Sequence, residues 1–199
     1  HYGADVASGF TTAVEDALST LGQRGHQPAA LLIDTIFSSD GVFADPPGLL
    51  TPAADAMRRA NGLIIADEVQ PGFGRTGTHF WGYGRHGLTP DIVTMGKPMG
   101  NGFPMAAMAA KPNHLAAFCK DVGYFNTFGG NPVAAAAGLA VLDVIRDEGL
   151  LENAHTVGTT LISELREIGA VYPVVGDIRG AGLFIGLDLV SQKAGVPDP

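Results

Sequence analysis

Gly62-Leu63-Ile64-Ile65-Ala66-Asp67-Glu68-Val69-Gln70 and, some thirty positions on, Asp91-Ile92-Val93-Thr94-Met95-Gly96-Lys97-Pro98 decide the fold. Each opens as a short apolar run of the kind that forms a buried parallel strand. Each ends abruptly in polar residues. Open α/β sheets place their ligands just beyond the C-terminal ends of such strands. The two stretches therefore predict a carboxylate, Asp67, and an amine, Lys97, at one edge of one sheet.

An amine nucleophile beside a carboxylate suits Schiff-base chemistry on a ring cofactor whose nitrogen needs a negative partner. A surface lysine in a Gly-Lys-Pro turn is the competing reading of Lys97. A phosphate-binding P-loop is excluded. It needs glycine where Asp91 stands and Ser or Thr where Pro98 stands. Imine chemistry needs an amine that is neutral at working pH, which desolvation and nearby positive charge favour.

Asp67 closes a run expected to be buried on both faces, where an unpaired charge is costly. A cationic ring nitrogen would offset that cost. The plainer reading is a residue that merely starts a loop. Gln70 could reach a ring oxygen of the same ligand, and Glu68 reads as structural or secondary. A third motif is Asn126-Thr127-Phe128-Gly129-Gly130-Asn131-Pro132. Two glycines before a helix N-terminus offer backbone N–H groups, and Thr127 adds a hydroxyl, a combination suited to phosphate. Asn131 is expected as the helix N-cap and Pro132 as its first residue.

Working outward, helices are predicted over 8–22, 52–61, 112–120, from 132 onward, and over 151–168. Strands are predicted over 29–34, 62–67, 91–96, 105–110 and 183–190. The helix after Asn131 should bury Val133, Ala137, Ala140, Val141, Val144 and Ile145. The glycine-rich stretch 71–90 is long for a loop and reads as functional or interfacial. This order predicts an α/β domain over residues 1–150 and the start of a smaller α+β domain over 151–199.

The chain has 199 residues, 46% apolar and 16% charged, which describes a globular protein. Its formal charge is −8, with no basic stripe, so nucleic-acid binding is not expected. No apolar run approaches membrane-spanning length. A single Cys119 excludes an intrachain disulfide and suits a reducing compartment, read here as cytoplasmic. The start shows no signal-peptide pattern and no initiator methionine, a hint that the chain is cut from something longer. His1, His26, His79, His86, His114 and His155 lack metal-ligand spacing, so no metal site is expected.

Ile65-Ala66-Asp67-Glu68-Val69-Gln70-Pro71-Gly72-Phe73-Gly74-Arg75-Thr76-Gly77 closely resembles the signature of class III pyridoxal-phosphate aminotransferases. Residues 90–97 resemble that family's lysine strand, and 126–132 its phosphate-side motif. The resemblance runs from about residue 28 to 190. It implies the type I fold of pyridoxal-phosphate enzymes, whose large domain is a mixed, mostly parallel sheet with flanking helices. It further implies an obligate homodimer with shared active sites.

By the same resemblance Lys97 is the catalytic lysine that forms the internal aldimine with pyridoxal 5'-phosphate. Asp67 pairs with the pyridine nitrogen and Gln70 with the ring's phenolic oxygen. Thr127 reaches the phosphate of the neighbouring subunit's cofactor. The implied reaction is transamination between an amine and a 2-oxo acid.

The family usually has Glu followed by Pro near position 34. Asp34-Thr35-Ile36-Phe37-Ser38-Ser39-Asp40-Gly41 stands here instead. That variant resembles the subgroup near ethanolamine-phosphate phospho-lyase and alanine–glyoxylate aminotransferase-like proteins. A phospho-lyase acting on a phosphorylated amine is therefore the alternative. The family's phosphate loop and ring-stacking aromatic are expected before residue 1, and the rest of its small domain after Pro199. The chain reads as a central portion of a longer enzyme. An inactive remnant serving as a folding or dimerisation module is the reading from a different class.

Overall fold

Helix α1 (Val6–Gln23) begins where the Asp5 carboxylate accepts the Ser8 N–H at 2.9 Å, satisfying one orphan donor of the first turn. This computed structural model describes residues 5–191. Strand β1 (Ala30–Asp34), helix α2 (Thr51–Arg59) and strand β2 (Leu63–Asp67) follow. A short helix, α3 (Gly82–Arg85), interrupts the predicted loop before β3 (Ile92–Met95). A 3₁₀ turn, Lys97–Met99, leads to β4 (Ala107–Ala110). Helices α4 (Pro112–Asp121), α5 (Pro132–Asp147) and α6 (Leu150–Val171) precede a hairpin of β5 (Val175–Ala181) and β6 (Phe184–Leu189).

The main sheet has the order β1-β2-β3-β4. Its first three strands are parallel and β4 is antiparallel to β3. In register, Asp34 pairs with Asp67 and Asp67 with Thr94. The parallel arrangement thus brings three strand ends to one edge. Helices α1 and α2 cover one face. There Ile33, Leu49, Leu50, Ala54, Met57, Ile64 and Leu88 form a buried cluster, with Val6, Phe10 and Leu18 packed against it.

The other face is open in this chain: Leu32 is 64% exposed and Met108 58%. The expectation that β2 is buried on both faces is therefore corrected. Ile64 and Ala66 are buried, while Leu63, Ile65 and Asp67 are half-buried. Strand residues alternate between faces, and only one face has a helical layer over it. Helix α5 departs from expectation for a similar reason. Its apolar positions recur at helical spacing, yet none is buried, and Val133 and Val144 are exposed.

Strand β5 was not anticipated. Gly176, Asp177 and Gly180 all lower strand propensity, and its pairing with β6 shifts register between Val175 and Ile178. Three ties join the hairpin to the main body: the Leu183 N–H donates to the Arg75 carbonyl at 3.1 Å, Ala181 and Phe184 pack on Ile36 and Ala44, and Arg179 reaches across. Its Nε donates to the Gly41 carbonyl at 2.6 Å, and its two terminal nitrogens fork onto Asp188 at 2.8 and 2.9 Å. The guanidinium also lies 4.6 Å from the Phe43 ring centre. Arg179→Ala should lower unfolding free energy by roughly 2 kcal/mol, read from urea midpoints. Arg179→Lys should recover less than half of that, because an ammonium cannot reproduce the fork.

Candidate active site

Lys97 is the first residue of the 3₁₀ turn that ends β3. Its φ of +39° lies in the left-handed region, uncommon for a residue with a side chain. The turn is closed by hydrogen bonds from Met99 N–H to the Gly96 carbonyl at 3.0 Å and from Gly100 N–H to the Lys97 carbonyl at 3.3 Å. Gly100 has to be glycine, since a Cβ there would collide with the Phe103 carbonyl. The Lys97 side chain is exposed, and among the described residues its amine has no hydrogen-bond or ion-pair partner.

Asp67 lies on the neighbouring strand. Its Oδ1 accepts the Val69 N–H at 3.0 Å and the Thr94 hydroxyl at 3.3 Å. Among the described residues, Oδ2 accepts nothing. The lysine turn abuts the loop after Asp67: a Cβ built on Gly96 would lie 3.8 Å from Val69 Cγ2. The structure thus brings Asp67 and Lys97 to the same edge. Gln70, half-buried in the turn that follows β2, shares that edge and has no hydrogen bond among the described residues.

Thr127 stands apart. It is exposed in the loop between α4 and α5, and no hydrogen bond joins it to Asp67 or Lys97. The loop is ordered by Asn126, whose Oδ1 accepts the N–H groups of Phe128 at 3.2 Å and Gly129 at 2.9 Å. Asn131 caps α5 through the Ala134 N–H at 2.9 Å, with Pro132 as first helical residue, as predicted. A cavity of about 440 Å³ lies behind the lysine turn. It is lined by Pro98, Asn101, Phe73, Arg75 and the Val141 and Val144 side of α5, not by Asp67 or Lys97.

Comparison with known proteins now bears on this edge. The Aminotransferase class-III family model matches residues 5–196. The chain belongs to that family. It is 47% identical over 179 residues to human mitochondrial alanine–glyoxylate aminotransferase 2, covering 90% of this chain and 34% of that one. It is 42% identical to an ethanolamine-phosphate phospho-lyase homologue of Caenorhabditis elegans, covering 92% of this chain and 40% of that protein. An Arthrobacter phospholyase solved with phosphoethanolamine superposes with a TM-score of 0.91 at 40% identity, covering 97% of this chain and 46% of that one. This class-III aminotransferase chain therefore spans between a third and a half of the length of these relatives. The type I large-domain fold expected from the signature holds.

Glu68, expected to be structural or secondary, has a structural role. Glu68, not Asp67, is the buried carboxylate of the pair, with 0% of its surface exposed. Its Oε1 accepts the Thr35 hydroxyl at 2.9 Å and the Tyr83 N–H at 2.8 Å, and its Oε2 accepts the Gly82 N–H at 2.7 Å. His86, also buried, donates from Nε2 to the Thr35 carbonyl at 2.8 Å. Its Nδ1 has no partner among the described residues, and burial holds its pKa below the ordinary value. Asp34, the register partner of Asp67, spends its charge locally on the N–H groups of Ile36 at 3.0 Å and Ser38 at 2.8 Å. The signal for Glu68 was available. Two carboxylates in succession at a strand end point to opposite faces, so one of them faces the covered side.

Burial pushes the Glu68 pKa from 4.5 up to about 7, against the lowering effect of its three donors. The folded chain thus binds this proton more tightly than the unfolded one. The stability Glu68 contributes is complete below pH 4.5 and is lost as pH rises through about 7. The size of the loss is on the order of 3 kcal/mol. Chemical denaturation at stepped pH should show this fall in the wild type. Glu68→Gln should flatten it across that window while lowering stability overall, because its amide N–H would oppose the Gly82 N–H.

Proposed function

We propose that this chain supplies the lysine and carboxylate side of a pyridoxal-phosphate site that transfers an amino group between an amine and a 2-oxo acid. The observation that carries the reading is the parallel pair β2 and β3, which ends in Asp67 and Lys97 at one sheet edge. The residues fit the cofactor. Asp67 keeps an acceptor oxygen, Oδ2, for a protonated ring nitrogen, and Lys97 keeps an uncommitted amine. When bound, pyridoxal phosphate supplies an electron-withdrawing ring next to the reacting carbon.

Lys97 would hold the cofactor through Nζ and, with that nitrogen free, would serve as the general base that moves a proton. Asp67 Oδ2 would face the protonated ring nitrogen, and the Gln70 amide would be a donor for the ring oxygen. The Thr127 hydroxyl and the Gly130 N–H ahead of α5 offer phosphate ligands, whereas the Phe128 and Gly129 N–H groups are already taken by Asn126. Their distance in hydrogen bonding from Lys97 supports a role across a homodimer interface, at a neighbouring copy's site. Exposed Tyr124, Phe125 and Phe128 in the same loop support that interface. Residues 151–199, which take in most of α6 and the β5–β6 hairpin, are read as the start of a second, C-terminal domain. Cys119 supports a reducing, cytoplasmic compartment, although the human relative is named mitochondrial. Among the described residues no helix is long and apolar enough to cross a membrane.

A phospho-lyase is the second reading. It is favoured by the Asp34-Thr35 variant and by the likeness to a phospholyase solved with phosphoethanolamine. Release of inorganic phosphate from a phosphorylated amine, without any oxo acid, would select it.

Borohydride reduction of the chain mixed with pyridoxal phosphate should place the label on Lys97, located by peptide mapping. Lys97→Ala should lose the label with little change in thermal midpoint, because the side chain is exposed and makes no contact to lose. A label on another lysine would overturn the assignment.

A further inference from the structure

We propose that Glu68 is a positioning residue that fixes where the Asp67 carboxylate points, by anchoring the end of β2 to two other segments. The inference rests on the reading of Asp67 as a cofactor ligand, and it concerns a residue with no contact to the cofactor edge.

Glu68 is tied at three points. Its backbone N–H donates to the Thr94 carbonyl at 2.9 Å, extending the β2–β3 ladder one residue past Asp67. Its carbonyl accepts the Gly72 N–H at 3.1 Å, closing the turn that carries Val69 and Gln70. Its side chain accepts three donors, one from the end of β1 and two from the start of α3. Close approach of these segments is built in. A Cβ on Gly82 would collide with Thr35 Oγ1 and Pro71, and one on Gly72 would lie 2.6 Å from the Glu68 carbonyl.

Asp67 is held far less. Its carboxylate has only the Val69 N–H and a long bond from Thr94. Both donors are placed by the same turn and ladder that Glu68 closes. A half-exposed carboxylate with two weak ties has several accessible rotamers. A neighbour locked by three donors removes that freedom from the backbone on which it turns. Supporting hydrogen bonds of this kind commonly set the geometry of ligand-contacting groups.

The test uses amide hydrogen exchange of Val69 in the full cofactor-free chain, because that N–H is bonded to Asp67 Oδ1. Asp67→Ala sets the level for complete loss. Glu68→Gln should speed Val69 exchange by about tenfold, toward that level, with Ile65 and Ala66 in β2 unchanged. Thr35→Val removes one of the three donors and should give a smaller step in the same direction. It carries the test alone if Glu68→Gln does not fold.

Faster exchange at Gly82 and Tyr83 with Val69 unchanged would overturn the proposal, since Glu68 would then hold only the α3 loop. A separate measurement isolates the underlying reading. If Asp67→Ala is trapped by pyridoxal phosphate and borohydride as fully as wild type, Asp67 is no cofactor ligand, whatever Glu68 does to its orientation.

Discussion

A buried carboxylate without water has to find its hydrogen bonds in the protein, and Glu68 finds three. That requirement organises the edge of the sheet. It draws the end of β1, through Thr35, against the end of β2. It pulls the start of α3 down onto both, which is why residue 82 is glycine. It also explains the aromatic cluster in the same loop. Trp81 packs edge-on with Phe73 at 5.2 Å and Phe80 at 4.9 Å, and the two phenylalanines meet tilted at 5.4 Å. The stretch 71–90, long for a loop, is thus held by Glu68 at its base, by aromatic packing, and by bonds from Arg85 to the Ala44 carbonyl and from His86 to the Thr35 carbonyl.

The division of labour between Asp67 and Glu68 follows from strand geometry. Adjacent residues project to opposite faces. The covered face receives Glu68, and both of its oxygens are committed to the fold. The open face receives Asp67, which keeps one oxygen uncommitted. The same logic separates Asp34 from Thr35 on β1. The carboxylate proposed to meet the cofactor and a structural one can therefore sit side by side without competing for donors.

Much of this was legible in the residues. Sequence pattern located α1, α2, α4, α5 and α6 and the strands β1, β2, β3 and β6, with ends shifted by at most three residues. The short run Met105-Ala106-Ala107-Met108-Ala109-Ala110 was correctly read as a strand, although its composition also suits a helix. Strand β5 escaped because Gly176 and Gly180 hide its alternation, and because one of its ties, from Arg179 to Gly41, spans 138 positions. The burial of Asp67 was misjudged because an apolar run records what the strand can face, not which layers cover it. Leu32 and Met108 remain open for that reason. Proximity of Asp67 and Lys97 could be read from two strand ends. The Glu68 network could not, since its donors lie up to 33 positions away and two are backbone N–H groups that carry no signature.

Lys97 shows the complementary constraint. Lysines elsewhere in the sheet region are used for the fold: Lys111 pairs with Asp91 at 2.6 Å. Lys97 has no such partner, and its backbone adopts a left-handed conformation that most residues avoid. A lysine needed only as a turn residue would be better replaced by glycine or asparagine at that φ. The turn instead retains a side chain at a conformational cost. The partner that offsets the cost has to come from outside the described residues. An amine left unpaired at a strand end, one strand from a carboxylate with an open oxygen, is the combination that a cationic ring with a reactive carbonyl would complete.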